Sequence, residues 1–181
     1  MTESVRHPGG TELTKRLLTL GGYHPPVTGR AADLGAGSGA AVRILTAYGF
    51  DAVGIDREPA ENVQEGDILH LPLEDDSFDL VLSECALYLS GDPRQALREA
   101  ARIVKQDGKI LIADVFPVLP QKLPEEMREC GLQVLFLEDH TEEWKEYIIE
   151  CLWQKEYVRE VCSAPKNSRY YLIGLQRWKY E

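Results

Sequence analysis

Hydrophobic positions along the chain alternate between two periods, about 3.6 residues for helices and near-continuous runs for buried strands. Leu13, Leu17, Leu18 and Leu20 recur at helical spacing within residues 11–20 and stop at Gly21-Gly22. Residues 30–34 then read as a short strand of small residues that enters Gly35-Ala36-Gly37-Ser38-Gly39. Ala40, Ala41, Val42, Ile44 and Leu45 follow as an apolar helical stripe that ends at Gly49. Further strands are predicted over 51–56, more weakly over 67–71, and over 79–83. Asp92, Pro93 and Gln95 fit a helix start with a capping box, and Ala96, Leu97, Ala100, Ile103 and Val104 make its apolar face, closed by Gly108. Residues 109–115 (KILIADV) are apolar almost throughout, as a strand covered on both sides by helices requires. A short helix over 124–130, a strand over 132–138, a long helix over 141–161 and a last strand over 169–177 complete the pattern. Strands alternating with helices predict an α/β fold built on a mostly parallel, doubly wound sheet. Such sheets bind ligands beyond the carboxyl ends of their strands, where the glycine run after the first strand falls.

Composition narrows the chemistry. With 181 residues the chain suits one domain, and 44% apolar with 28% charged residues excludes a disordered or fibrous class. Its formal charge of −10 disfavours a nucleic-acid backbone as partner, and no run approaches the length of a membrane span. The start MTESVRHPGG lacks a charged-then-apolar signal pattern, so a cytoplasmic location is expected. Cys85, Cys130, Cys151 and Cys162 form no C-x-x-C pair, so idle thiols are favoured and no metal site is expected.

Glycine at 35, 37 and 39 lets the backbone turn tightly and come close to a ligand. Gly35, Gly37 and Ala40 also satisfy the dinucleotide fingerprint G-x-G-x-x-G/A, with Asp56 at the distance of a ribose acid, so a nicotinamide-dependent oxidoreductase competes. Against it stands Asp33, two residues before the first glycine, where an anion suits a cationic ligand better than a pyrophosphate. Asp67 can accept from an adenine amino group while Ile68 packs on the ring; alternatively Asp67 caps a turn.

The segments AADLGAGSG, VGID, GDILHLPLEDDSFDLVLS and LREAARIVKQDGKILIADV, in order within residues 31–115, resemble class I S-adenosylmethionine-dependent methyltransferases. The likeness is to the small-molecule branch that includes the ubiquinone and menaquinone biosynthesis enzymes. The resemblance implies a Rossmann-like sheet of seven strands with the last antiparallel. It divides one domain into an N-terminal helical segment (1–28), a cofactor core (29–115) and a substrate-side portion (116–181). It makes Asp33, Gly35, Ala36, Gly37 and Gly39 partners for the methionine part of S-adenosylmethionine, with S-adenosylhomocysteine as product. Asp56 is implied at the ribose, Asp67 and Ile68 at adenine, and Ser83 beside the methionine moiety. Arg57 either covers the adenine or is a solvated charge.

The implied reaction is in-line displacement at the sulfonium methyl by a small-molecule acceptor. Glu84 and Tyr88 after the fourth strand, His7 in the N-terminal segment and His140 after the sixth strand are the candidate catalytic residues. Trp144, Tyr147, Ile148, Cys151 and Leu152 read as a core face, with Trp153 and Tyr157 as candidates for an apolar entrance. Cys85 beside the site resembles the thiols of arsenite methyltransferases, but the other cysteines do not match that spacing. Little chain is left for a substrate cap, which suits a small acceptor, a homodimer or a partner protein that completes the pocket. A non-catalytic, cofactor-binding subunit is a further alternative.

Overall fold

A computed structural model describes residues 8–154, 164–165 and 167–178. Helix α1 (Gly10–Leu20) precedes strand β1 (Arg30–Leu34), helix α2 (Ala40–Tyr48) and strand β2 (Asp51–Asp56). Strands β3 (Val63–Glu65) and β4 (Phe78–Glu84) follow, then a 3-10 turn at Tyr88–Ser90, α3 (Pro93–Ile103) and β5 (Val104–Phe116). The chain continues through α4 (Leu123–Glu129), β6 (Leu132–Asp139), α5 (Thr141–Trp153) and β7 (Arg169–Arg177).

The seven strands form one sheet in the order β3-β2-β1-β4-β5-β7-β6. All neighbours are parallel except β7, which runs antiparallel to both β5 and β6, as expected for the last strand. One face carries Leu97, Ala100 and Ile103 of α3 with Leu123 and Met127 of α4, and the other carries Leu13, Leu17 and Leu18 of α1, Leu45 of α2 and Trp144 of α5. Burial on both faces explains why Ile110–Phe116 is apolar with hardly a break.

Three expectations change. The third strand is Val63–Glu65, not 67–71; in the latter stretch Asp67 instead closes a turn, accepting from the Leu69 amide at 2.9 Å while the His70 amide reaches the Asp67 carbonyl. Helix α3 ends at Ile103 because Val104 already pairs with Phe78, and Gly108 lies in the irregularity between Val104 and Lys109, where a Cβ would stand 3.0 Å from the carbonyls of Phe78 and Asp79. The predicted core face of α5 holds at Trp144 and Cys151 but not at Leu152, which is 60% exposed; α5 ends at Trp153 with Gln154 as its C-cap, and residues 155–161 of the expected helix lie outside the described residues.

The α3 start is half a capping box. Asp92 accepts from the Gln95 amide at 3.0 Å, but the Gln95 side chain donates to the Leu69 carbonyl at 3.1 Å instead of returning to Asp92. It thereby ties α3 to the loop that carries Asp67 and Ile68.

Candidate active site

Parallel register aligns the ends of β1, β2 and β4 at one edge, since Leu34 pairs with Ile55 and Asp33 with both Gly54 and Leu82. The glycine turn begins there. The amides of Gly35 and Ala36 both donate to the Ile55 carbonyl, at 2.8 and 3.1 Å, which bends the chain over β2. Gly35 has φ of +79°, and a Cβ on it would lie 2.2 Å from that of Ala86, so both conformation and contact demand glycine. The Gly37 amide donates to Asp56 Oδ2 at 2.8 Å, and the Glu58 amide donates to Oδ1 at 3.0 Å. Two backbone donors thus fix the Asp56 carboxylate while its remaining lone pairs stay able to accept from a ligand.

Beside this turn opens a cleft of about 170 Å³. Gly35, Asp56, Arg57, Gly66 and Ile68 line one part of it, and Cys85, Ala86, Leu89 and Ser90 line the other. Arg57 Nη2 stands 3.5 Å from Asp67 Oδ2, so the guanidinium borders the cleft while its side chain stays largely exposed. The Leu69 amide first, and Arg57 after it, hold the Asp67 carboxyl below the usual range. Asp67 therefore does close a turn, and its position next to Arg57 and Ile68 leaves it at the cleft's margin.

Beneath the cleft the acids gather. Asp33 is buried, and its carboxyl is pushed well above the usual range by burial first, then by the charges of Glu84 and Asp56. Glu84 packs under α1, where the Thr14 hydroxyl donates across its two carboxylate oxygens at 3.1 and 3.0 Å. Burial pushes the Glu84 carboxyl up to about 7, against the Thr14 bond that favours ionisation. Three acidic side chains around one glycine turn, Asp56 with Glu84 and the buried Asp33, disfavour a pyrophosphate and leave the site more negative as Glu84 ionises above about 7.

The other sequence candidates divide. Ala36, Gly37 and Gly39 build the turn itself, and the Gly39 amide closes it on the Ala36 carbonyl at 2.8 Å. Ser83 is buried and donates to the Leu34 carbonyl at 2.9 Å, bracing β1 against β4. Tyr88 follows the cleft wall, its amide directed at Asp114 Oδ2 at 3.3 Å. His140 stands at the start of α5, with Nε2 3.1 Å from Glu138 and Nδ1 3.4 Å from Glu143, and β6 is three strands from β4, roughly 14 Å away. The sheet does not bring it to the cleft. His7, Tyr157 and Cys162 lie outside the described residues, and Trp153 is 83% exposed. Cys85 Sγ meets the Tyr170 hydroxyl at 3.3 Å, whereas Cys130 is buried on the opposite face of the sheet, so these two thiols do not converge.

Sequence reasoning missed the residues that hold the cleft's loop. Arg102 donates to the carbonyls of Leu71 and Leu73 and to Glu99, and Glu99 accepts from the Leu71 amide at 2.7 Å. Charged residues one helical turn apart on α3, Glu99 and Arg102, are the signal the sequence carries, and on their own they point to no loop. Thr14 was missed because nothing in α1's pattern says which side chain meets β4.

Comparison with known proteins finds methyltransferases. Residues 32–112 match the family described as "Methyltransferase domain". An uncharacterized methyltransferase, YcgJ, from Bacillus subtilis is 34% identical over 112 residues, covering 51% of this chain and 44% of that protein. Demethylmenaquinone methyltransferase from Corynebacterium kroppenstedtii is 31% identical over 122 residues, covering 62% of this chain and 53% of that one. The chain thus spans about half the length of these relatives. Among solved structures, phosphoethanolamine N-methyltransferase 2 from Haemonchus contortus, in complex with phosphomonomethylethanolamine and S-adenosylhomocysteine, superposes with a TM-score of 0.70. At 16% identity over 96% of this chain and 54% of that one, it bears on the fold alone.

Proposed function

We propose that this chain, whose residues 32–112 match a methyltransferase domain, moves a methyl group from S-adenosylmethionine to a small-molecule acceptor. The single observation that carries the reading is the glycine turn pinned to Asp56 above the buried acids Asp33 and Glu84. S-adenosylmethionine supplies a sulfonium whose methyl is already activated toward a nucleophile. What remains for the protein is to bind, align and exclude water.

Gly35 and Gly37 present backbone at close range, Asp56 accepts from ribose hydroxyls, and Ile68 with the Arg57–Asp67 pair receives the adenine. The Asp56 carboxylate and, as it ionises above about 7, Glu84 present negative charge toward the sulfonium, while burial favours the protonated form of Asp33. The same acids oppose the oxidoreductase alternative, since a nicotinamide dinucleotide brings its pyrophosphate to this turn.

Calorimetric titration with S-adenosylhomocysteine and, separately, NADH tests the reading. Selective binding of the homocysteine ligand is the expected result, and binding of NADH alone overturns it. Asp56→Ala should weaken S-adenosylhomocysteine by about 1–3 kcal/mol, the range for lost charge-assisted hydrogen bonds.

A further inference from the structure

A second cavity, about 270 Å³ in volume, opens at the same edge of the sheet, between the segment after β4, the N-terminus of α3, the end of β5 and α4. Leu87, Leu97, Val115, Phe116, Leu123 and Met127 make it overwhelmingly apolar. An engineered apolar cavity of about 150 Å³ stays dry and binds benzene, so this volume is ample for a larger ring system or a branched chain. Its rim decides the charge of the occupant. Arg94 is the cation there, and its guanidinium is already engaged by Glu126 at 2.7 Å and Glu129 at 2.6 Å. Asp92 adds a further negative charge. An anion would meet carboxylates without a free cation, whereas an uncharged apolar group meets matching walls.

Residues 85–91 separate this cavity from the cofactor cleft. Ala86, Leu89 and Ser90 face the cleft, while Leu87, Tyr88 and Gly91 face the cavity. One short segment is therefore the wall of both.

We propose that the cavity receives the uncharged, apolar body of the methyl acceptor, whose reactive end extends past the 85–91 segment to the cofactor's methyl group. The assignment as acceptor rests on the methyl-transfer reading; the cavity's preference for uncharged apolar ligands does not. Because one segment lines both sites, a ligand that orders it in one lowers the cost of binding in the other, and the coupling must be reciprocal.

The test titrates the full chain with indole, as a neutral two-ring probe, and with indole-3-acetate as its anionic counterpart, with and without saturating S-adenosylhomocysteine. Indole should bind saturably, at least threefold tighter with S-adenosylhomocysteine present, and at least tenfold tighter than indole-3-acetate. Met127→Trp fills the floor and Val118→Trp the partly exposed mouth, so that one folds even if the other does not. Each folded variant should lose tenfold or more in indole affinity and keep S-adenosylhomocysteine affinity within twofold. Non-saturable indole binding, equal binding of the anion, unchanged affinity in the filled variants, or indifference to S-adenosylhomocysteine each overturns the proposal. Failure of the parent chain to bind S-adenosylhomocysteine strikes the cofactor reading itself and takes the acceptor assignment with it.

Discussion

Glu84 shows how one residue couples stability to chemistry. Its carboxyl is raised from an ordinary value near 4.5 to about 7 in the folded chain, so the native state holds a proton that the unfolded chain has released between those values. Stability from this group is therefore complete below about 4.5 and is lost as pH rises through about 7. The gap corresponds to roughly 3 kcal/mol at most. Denaturant unfolding at pH 5 and pH 8 should show the parent losing stability across that window, while Glu84→Gln, neutral throughout, should lose markedly less. Equal slopes for the two proteins would remove Glu84 as the titrating group. Gly35 makes the complementary point about shape. Gly35→Ala puts a Cβ against Ala86 and strains a positive φ, so S-adenosylhomocysteine affinity should fall at least tenfold, with thermal stability reduced by about 1–3 kcal/mol.

At the scale of elements, the loop between β3 and β4 matters more than its sequence suggests. It has little regular structure, and α3 holds it through Gln95, Glu99 and Arg102, which bond to the main chain of Leu69, Leu71 and Leu73. Arg102→Ala takes a donor from the carbonyls of Leu71 and Leu73 and the charged partner from Glu99 and Asp75, leaving Glu99 only the Leu71 amide. Weaker S-adenosylhomocysteine binding, by about 1–2 kcal/mol, is the expected consequence, since Ile68 and Asp67 lose their support. Calorimetry checks it; unchanged affinity would show that the loop holds itself. The same loop marks where sequence reading stopped. Strands β1, β2, β4 and β5 and helices α2 and α3 were legible because their apolar residues are buried in long, regular runs. Strand β3 was not: Val63 is its one buried residue, and three residues carry no periodicity. The apolar Ile68 and Leu71 beside it drew the expected strand to a turn, although both are buried as loop anchors.

For the whole molecule, doubly wound topology turns a dispersed set of residues into one edge. Asp33, Asp56 and the glycine turn were legible because they are near one another in sequence and follow a predicted strand. The pairing of Thr14 with Glu84, 70 residues apart, and the wall shared by two cavities were not, because only the order β1-β4-β5 brings them together. That convergence of acids on a chain of formal charge −10 has a measurable consequence. S-adenosylmethionine and S-adenosylhomocysteine differ by a methyl group and one positive charge. Attraction of a single charge in a partly solvated cleft is worth about 1 kcal/mol or somewhat more, and it grows as carboxyls ionise. The preference for S-adenosylmethionine over S-adenosylhomocysteine should therefore rise by roughly three- to tenfold between pH 5.5 and pH 8, with most of the change near the value of about 7 set for Glu84. Glu84→Gln should flatten the rise without abolishing binding of either ligand. Parallel calorimetric titrations at the two pH values decide it: a constant ratio would mean that the buried acids position the chain rather than sense the ligand's charge.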